Sequence, residues 1–489
     1  MKHFSIPKEV LEVTEKLEKA GFSAYLVGGC VRDLLLQRQP KDWDVTTNAI
    51  PAEIQRIFPD SFYENNFGTV GVKIEAAEEE SLRVIEVTPY RLEGKYSDNR
   101  HPDSVIFSQK IEDDLKRRDF TVNSLAYSPL KEEIVDLYSG EQDIKDKIIR
   151  TVGEPADRFT EDALRILRAV RFSAQLGFEI APSTEKAIVE HAHLLANIST
   201  ERIRDEFAKI ILTERPMLGL EMLKKLNLLK YISPELLETA GVEQGGAHSY
   251  DVWEHLLRSL QHAADKNYDL ELRLAALFHD ISKPESRRKG TKAKEWTFYG
   301  HEVLGARKTK KILENLKFPT KVVEKVVKMI RWHMFFSDTE QISLSAVRRM
   351  IVNVGRENIW DLMNLRICDR IGTGRPKEDP YRLRKYHAMI EEALRDPISV
   401  GMLKIDGKKL MDIAGVPPGP VIGLTLSALL EEVLEDPGKN TVEYMEKRAK
   451  ELVALPMEEL KALGEKGRES QEEANQAEIQ RIRSSHKVR

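Results

Sequence analysis

At 489 residues, 41% hydrophobic and 32% charged, the chain is too long for one core and predicts three or four soluble globular domains. No run approaches the roughly 20 apolar residues of a membrane span, so no membrane partner is expected. The formal net charge of −4 argues only weakly against a nucleic-acid partner, because an average hides local patches. Cys30 and Cys368 are too few for a disulfide framework or a zinc cluster and suggest a reducing, cytoplasmic setting. The opening MKHFSIPKEVLEVTEKLEKAG lacks the apolar core and cleavage site of a signal peptide.

Residues 7–20 predict a helix, with Val10, Leu11, Val13, Leu17 and Ala20 at apolar spacing and Gly21 as its stop. Tyr25 to Val27 reads as a strand halted by Gly28-Gly29. A short helix follows, with Val31, Leu34 and Leu35 on one side and Arg32 and Asp33 beside them. Adjacent glycines let backbone approach a phosphate, because no Cβ intervenes. Asp42-Trp43-Asp44 then opens a second strand. Carboxylates at i and i+2 on a strand share a face and can hold one hard cation.

Pro51 begins a short helix to Phe58, and residues 68–74 and 82–88 alternate like strands. In the latter, Leu82, Val84, Glu86 and Thr88 share a face predicted to point inward. Glu86 is then either a third metal-binding carboxylate or an edge charge. Residues 93–104 (EGKYSDNRHPDS) read as a mobile loop. From Ile111, IEDDLKRRDFTVNSLAY reads as helical, with Asp119 and Asn123 as i,i+4 neighbours behind Arg117 and Arg118. The strand-like IVDLYSG and IIRTVG close a first α+β unit near residue 153.

Beyond 155 the pattern is helical, without a tandem repeat. Residues 286–299 read as a basic hairpin and 415–424 as a turn-rich break. The last ~25 residues, charged and poor in large apolar side chains, read as a solvated helix or disordered tail.

Four stretches carry a resemblance. YLVGGCVRDLLL…KDWDVTT, LKRRDFTVNSLAY at 115–127, RFTEDALRILRAVRFSAQLGF at 158–178 and STERIRDEF at 199–207 occur in this order. Together they resemble the signature of class II tRNA nucleotidyltransferases and bacterial poly(A) polymerases. The resemblance implies a DNA polymerase β-like α+β head at 1–153 and an all-α neck at 154–240 with a nucleobase-selecting motif and RNA-binding helices. An HD domain at 241–375 and a helical tail at 376–489 would follow. It implies Mg²⁺ at Asp42 and Asp44 as catalytic residues, with Glu86 left open. It implies nucleotide contacts from Gly28, Gly29, Arg32 and Arg118, and ribose contacts from Asp119 and Asn123. The partners would be CTP, ATP and the tRNA acceptor arm.

EDALRILRAVR has its own physical reading. In a helix, Asp162 and Arg165 are i,i+3 neighbours, and Arg168 and Arg171 continue along nearly the same side. As an exposed ion pair, such neighbours contribute only about 0.3–0.5 kcal/mol. As a base reader, the carboxylate accepts the exocyclic amine hydrogen of cytosine or adenine while the guanidinium donates to the adjacent ring nitrogen. Guanine and uracil present a carbonyl and an N–H there and are refused. The resemblance assigns this role to Asp162 and Arg165, with Arg168 and Arg171 near the base or phosphates. DNRHPD at 98–103 resembles the flexible loop of members that add CCA, with His101 where a second arginine is usual. CCA addition is therefore the first expectation, and poly(A) or A-only addition the alternative.

The second half sets His255, His279-Asp280, His301, His333 and Asp369 in a spacing that resembles an HD phosphohydrolase domain. Imidazole and carboxylate together suit a divalent transition metal. The resemblance implies an inner site of His255, His279, Asp280 and Asp369, a second completed by His301 and His333, and Lys283 for phosphate. Hydrolysis of 2′,3′-cyclic phosphates at damaged tRNA ends is the activity expected there. Two readings of another kind stay open: an HD phosphohydrolase whose head only binds RNA, and a non-catalytic HD scaffold.

Overall fold

The computed structural model describes residues 4–63, 68–75, 77–93, 105–245, 249–290, 296–335 and 342–463. It divides into two compact units, Met1–Pro234 and Glu235–Arg489. The expected loop lies, from residue 94 on, outside the described residues, as does the tail from 464.

The first unit is built on a seven-stranded sheet: β1 (Ala24–Val27), β2 (Asp44–Thr47), β3 (Ser61–Tyr63), β4 (Val70–Lys73), β5 (Val84–Pro89), β6 (Leu125–Ser128) and β7 (Glu133–Asp136). Their spatial order is β3-β4-β5-β2-β1-β6-β7. Only β2 and β5 run parallel, with Asp44 opposite Glu86. The N-terminal helix Lys8–Lys19 buries Val10, Val13, Thr14 and Leu17 and packs on β1.

Two expectations about this sheet are corrected. Ile85, Val87 and Pro89 are the buried face of β5, whereas Val84 and Glu86 are exposed. Glu86 is thus not an inward residue. Alternation defines two faces equally well, and Leu82, which had suggested the other, lies in a 3₁₀ turn before the strand. The segment from Ile111 is not one helix either. The helix ends at Lys116, a 3₁₀ turn spans Thr121–Asn123, and the apolar residues after it form β6. All four residues of β6 are buried, with Ala126 packed against Leu115 of the helix Ile111–Lys116 and Tyr127 against Phe4.

A small hairpin pairs Arg91–Glu93 with Val105–Phe107. Ile148–Ile149 pairs in parallel with Glu179–Ile180. The helices Pro155–Glu161, Leu164–Leu176, Pro182–His191, Thr200–Ile211 and Pro216–Lys225 complete the unit.

In the second unit, helices Val252–Asp265, Leu270–Phe278, Thr320–Trp332 and Ile359–Gly372 pack together, and His301–Asn315 packs on Thr320–Trp332. The basic insert is a hairpin, Arg288–Lys289 against Trp296–Thr297. The helices Leu344–Val354, Tyr381–Ala393, Gly407–Ala414, Pro420–Glu435 and Val442–Val453 share an apolar core around Met350, Tyr386, Ile390, Leu429 and Met445, to which Ile359, Leu362 and Met363 of the helix Ile359–Gly372 also belong. Among the described residues, no helix is long and apolar enough to cross a membrane.

Candidate active sites

In the first unit, the expected strand–GG–helix turn forms. Gly28 has φ +80°, a conformation that favours glycine, and a Cβ built on it would lie 2.8 Å from Arg118 Nη1. The helix Gly29–Leu35 buries Arg32, whose Nε donates to Asp33 (2.9 Å) and whose Nη1 donates to Asn123 Oδ1 (2.6 Å). Asn123 Nδ2 donates to Asp119 Oδ1 (3.2 Å), so the expected neighbours do meet, across a 3₁₀ turn. Asp119 Oδ2 accepts from Arg168 Nη2 (2.6 Å). Burial alone would raise the Asp119 pKa, but Arg168 outweighs it and holds the carboxyl at about 2. Arg117 and Arg118 both grip the buried Asp114.

The acidic set is looser. Asp44 is the first residue of β2, Asp42 lies in the bend before it, and Glu86 is its register partner on β5. Asp42 is therefore not on the strand, and the i,i+2 argument does not fix its direction. Among the described residues, the groups of three or more acidic or histidine side chains with ligand atoms within 4.8 Å of one another lie in the second unit, not here.

The expected Asp162–Arg165 helical pair is also corrected. Asp162 sits between the helices Pro155–Glu161 and Leu164–Leu176 with extended backbone, φ −143° and ψ 103°. Its Oδ1 accepts from Leu164 N (3.0 Å), and its Oδ2 accepts from Arg202 Nη2 (2.7 Å). Arg165 pairs instead with Glu161, which also holds Arg158. The apolar spacing runs through both helices and conceals the break between them. Arg168 turns to Asp119, and Arg171 to the buried Glu206 (2.7 Å). Phe172 lies among three guanidiniums: Arg32, Arg168 and Arg171 lie 5.4, 5.3 and 4.2 Å from its ring centroid. Sequence reasoning missed Glu161, Arg202, Glu206 and Phe172. Only Glu161, one helical turn before Arg165, had a local signal.

In the second unit the six HD side chains converge. His255 Nε2 lies 3.0 Å from His279 Nε2, 3.1 Å from Asp280 Oδ2 and 3.4 Å from Asp369 Oδ1. His301 Nε2 lies 3.2 Å from Asp280 Oδ1 and 3.3 Å from His333 Nε2. Asp280 thus belongs to both groups, one through each oxygen. Backbone carbonyls of Ala276, Phe298 and Ile330 face the Nδ1 atoms of His279, His301 and His333 at 2.9, 2.6 and 2.7 Å. A carbonyl there accepts from an Nδ1–H, so once a metal displaces any Nε2 proton the Nε2 lone pair faces inward, as a ligand requires. Gly372 makes the close approach possible. A Cβ there would lie 2.1 Å from Ser259 Oγ and 2.8 Å from the His255 carbonyl, forcing apart the helices that carry Asp369 and His255.

The electrostatics of this cluster favour a cation. Burial opposes charge on His279, yet Asp280 and Asp369 outweigh it and push its pKa up to about 10. Burial likewise opposes the Asp280 and Asp369 anions, but Lys283 and Arg366 hold them well below the carboxylate range. Lys283 Nζ is 2.6 Å from Asp280 and Arg366 Nη1 2.6 Å from Asp369. The cluster opens into a cavity of about 960 Å³.

Comparisons agree with this division. The family model described as poly A polymerase head domain matches residues 24–150. The one for the probable RNA- and SrmB-binding site of polymerase A matches 177–239, and the HD domain matches 252–371. The chain is 33% identical to a CCA-adding enzyme of Geobacillus thermodenitrificans over 445 residues, 89% of this chain and 95% of that one. It is 33% identical to a CC-adding tRNA nucleotidyltransferase of Thermus thermophilus over 84% of this chain and 90% of the relative. The crystal structure of the Bacillus stearothermophilus CCA-adding enzyme with CTP matches at TM-score 0.69 and 29% identity, covering 91% and 96% of the two chains. This chain is a nucleotidyltransferase, and it belongs to the class II tRNA nucleotidyltransferase and poly(A) polymerase family, with an HD domain in its second half.

Proposed function

We propose that the enzyme adds CCA to tRNA 3′ ends from CTP and ATP without a nucleic-acid template. The observation that carries this is the bonded run Asp33–Arg32–Asn123–Asp119–Arg168. It ties the glycine turn to the helix that follows Asp162, so phosphate binding and base selection act on one nucleotide. The layout is a head at 1–153, a neck at 154–240 that binds the acceptor arm, an HD domain at 241–375 and a tail at 376–489.

Gly28 and Gly29 admit the triphosphate to the backbone, Arg32 and Arg118 donate to it, and Asp119 and Asn123 hold the ribose. Asp42 and Asp44, with Glu86 across the sheet, offer the oxygen ligands that suit Mg²⁺. Bound there, two such cations would lower the pKa of the attacking hydroxyl and neutralise the leaving group. The terminal 3′-hydroxyl attacks the α-phosphate, the bond to the β-phosphate oxygen breaks, and pyrophosphate leaves. Asp162 and Arg165 select the base. Each already has a partner, Arg202 and Glu161, so a fitting base exchanges hydrogen bonds, while guanine or uracil sets a carbonyl against the Asp162 carboxylate and an N–H against the Arg165 guanidinium. Asp162→Ala then extends incorporation to GTP and UTP, whereas Asp42→Ala abolishes transfer. Identical behaviour of the two variants contradicts the base-reading role.

A metal-dependent phosphohydrolase acting on 2′,3′-cyclic phosphates is the second activity, supported by the convergence of four imidazoles and two carboxylates. His255, His279, Asp280 and Asp369 would hold one divalent transition metal, and Asp280, His301 and His333 another. A bound ion would supply activated water there. Lys283, beside Asp280, meets the phosphate. Metal analysis, with cyclic-phosphate hydrolysis by wild type and Asp280→Ala, tests it; wild type without metal-dependent hydrolysis contradicts it.

A further inference from the structure

The cavity over the histidine–aspartate cluster is larger and more basic than a single phosphate requires. Its floor is buried: Asp280 is 2% and His301 5% exposed. Its rim is open, with Tyr299 46% and Tyr381 68% exposed. Trp296 and Tyr299 come from the 286–299 insert. Arg375, Tyr381 and Arg382 come from the segment after the helix Ile359–Gly372, beyond residues 252–371 that match the HD family. The rim thus draws on Trp296, Tyr299 and Arg370 within the matched residues and on Arg375, Tyr381 and Arg382 just beyond them.

The charges around the cavity are unequal. Five cationic side chains line it against two carboxylates, Asp280 and Asp369. Lys283 and Arg366 are paired with those carboxylates. Arg370 donates its Nε to the Lys377 carbonyl (2.7 Å), a neutral acceptor, and Arg375 and Arg382 stand at the exposed edge. A phosphate reacting at the floor meets Lys283. It accounts neither for three further guanidiniums nor for exposed aromatic rings beside them. Guanidiniums set next to aromatic side chains match a nucleotide with more than one phosphate, since every base has a face to stack and every further phosphate an anion to pair.

We infer that this rim is a nucleotide subsite: the base stacks on Trp296, Tyr299 or Tyr381, and a phosphate beyond the one at the cluster pairs with Arg370, Arg375 and Arg382. The inference takes the position of the reacting phosphate from the hydrolytic reading of the cluster. The ligand chemistry has two sources, the 3′ end of an RNA strand with its neighbouring phosphodiester, and a free nucleoside polyphosphate.

The test is calorimetric titration of the full-length, metal-loaded protein. The probes are adenosine 3′-monophosphate, adenosine 3′,5′-bisphosphate as the smallest mimic of a strand end, and ATP. Each is titrated into wild type, Tyr381→Ala and Arg375→Ala/Arg382→Ala. The head also takes nucleotides, but these substitutions leave it untouched, so the change between proteins reports the rim. The bisphosphate binds wild type about tenfold more tightly than the monophosphate, and the double variant loses that advantage. Tyr381→Ala weakens both about tenfold. If the double substitution instead weakens only ATP, the subsite stands and free polyphosphate is its source. Equal mono- and bisphosphate affinities, with ATP binding unchanged by the double substitution, overturn the subsite. A wild type that hydrolyses no cyclic phosphate yet shows the bisphosphate advantage contradicts the hydrolytic reading and leaves the subsite standing. Denaturant unfolding of the second unit and metal content, both as in wild type, confirm that the variants fold.

Discussion

Asp42, in the bend before β2, and Glu86, within β5, stand exposed, and Asp44 at the start of β2 is half-buried, whereas Asp280 and Asp369 are sealed among four imidazoles. Asp42 and Glu86 are open to water. The second set has only its protein neighbours. It stays charged through Lys283, Arg366 and the imidazoles, which the fold must deliver to within about 4 Å. Exposed carboxylates can be rearranged by an arriving triphosphate. Buried ones are positioned before any ligand comes, and they are tied to stability as the exposed ones are not.

This contrast is sharpest in paired substitutions. Asp42→Ala abolishes nucleotide incorporation, a loss of more than about 10³-fold, because a metal ligand goes and not a single hydrogen bond. It changes unfolding free energy by less than about 0.5 kcal/mol, as expected of an exposed site. Asp280→Ala removes hydrolysis but leaves incorporation intact. In chelator it also destabilises the second unit by about 3–5 kcal/mol, because Lys283 is left buried and unpaired. Primer extension, hydrolysis assays and denaturant unfolding of both variants measure this. Equal stability losses break the comparison.

Asp119, like Asp114, shows that the head also contains buried carboxylates of the second kind. Its pKa is lowered from 3.8 to about 2 in the folded state. The stabilisation from its pairing is therefore complete above pH ~4 and disappears as pH falls through about 2, because the unfolded chain takes up the proton first. The shift corresponds to about 2–3 kcal/mol. Asp119→Asn lacks that component, so its stability falls less steeply than wild type between pH 4 and 2 in urea unfolding. Parallel pH curves for the two proteins contradict the pairing. Phe172→Leu has the smallest effect: about 1 kcal/mol of stability is lost with the aromatic face shared by Arg32, Arg168 and Arg171, and the KM for CTP rises a few-fold. An unchanged KM removes the ring from the account of the nucleotide site.

What was legible in the sequence follows from the range of each interaction. The strand, the glycine pair and the short helix are local, and so is the adjacent His279-Asp280. Their residue types alone indicate phosphate and metal chemistry. The inward face of β5 was misread because alternation does not say which side meets the core. The helix break at Asp162 was missed because apolar spacing continues across it, although Asp162 is a residue type that accepts from backbone N–H groups at helix starts, as it does from Leu164 N. Contacts across long separations had no local sign. Arg32 meets Asn123 91 residues on, and Arg202 meets Asp162 40 residues back. The motif order placed those residues in one list, and the fold supplied their pairing.

The central claim is that side chains alone choose C, C and then A. The most direct measurement is extension of a tRNA lacking CCA, given all four nucleoside triphosphates, with the products sequenced. The account predicts two cytidines, one adenosine and then a stop. A long adenosine tract, or a stop after the second cytidine, contradicts it.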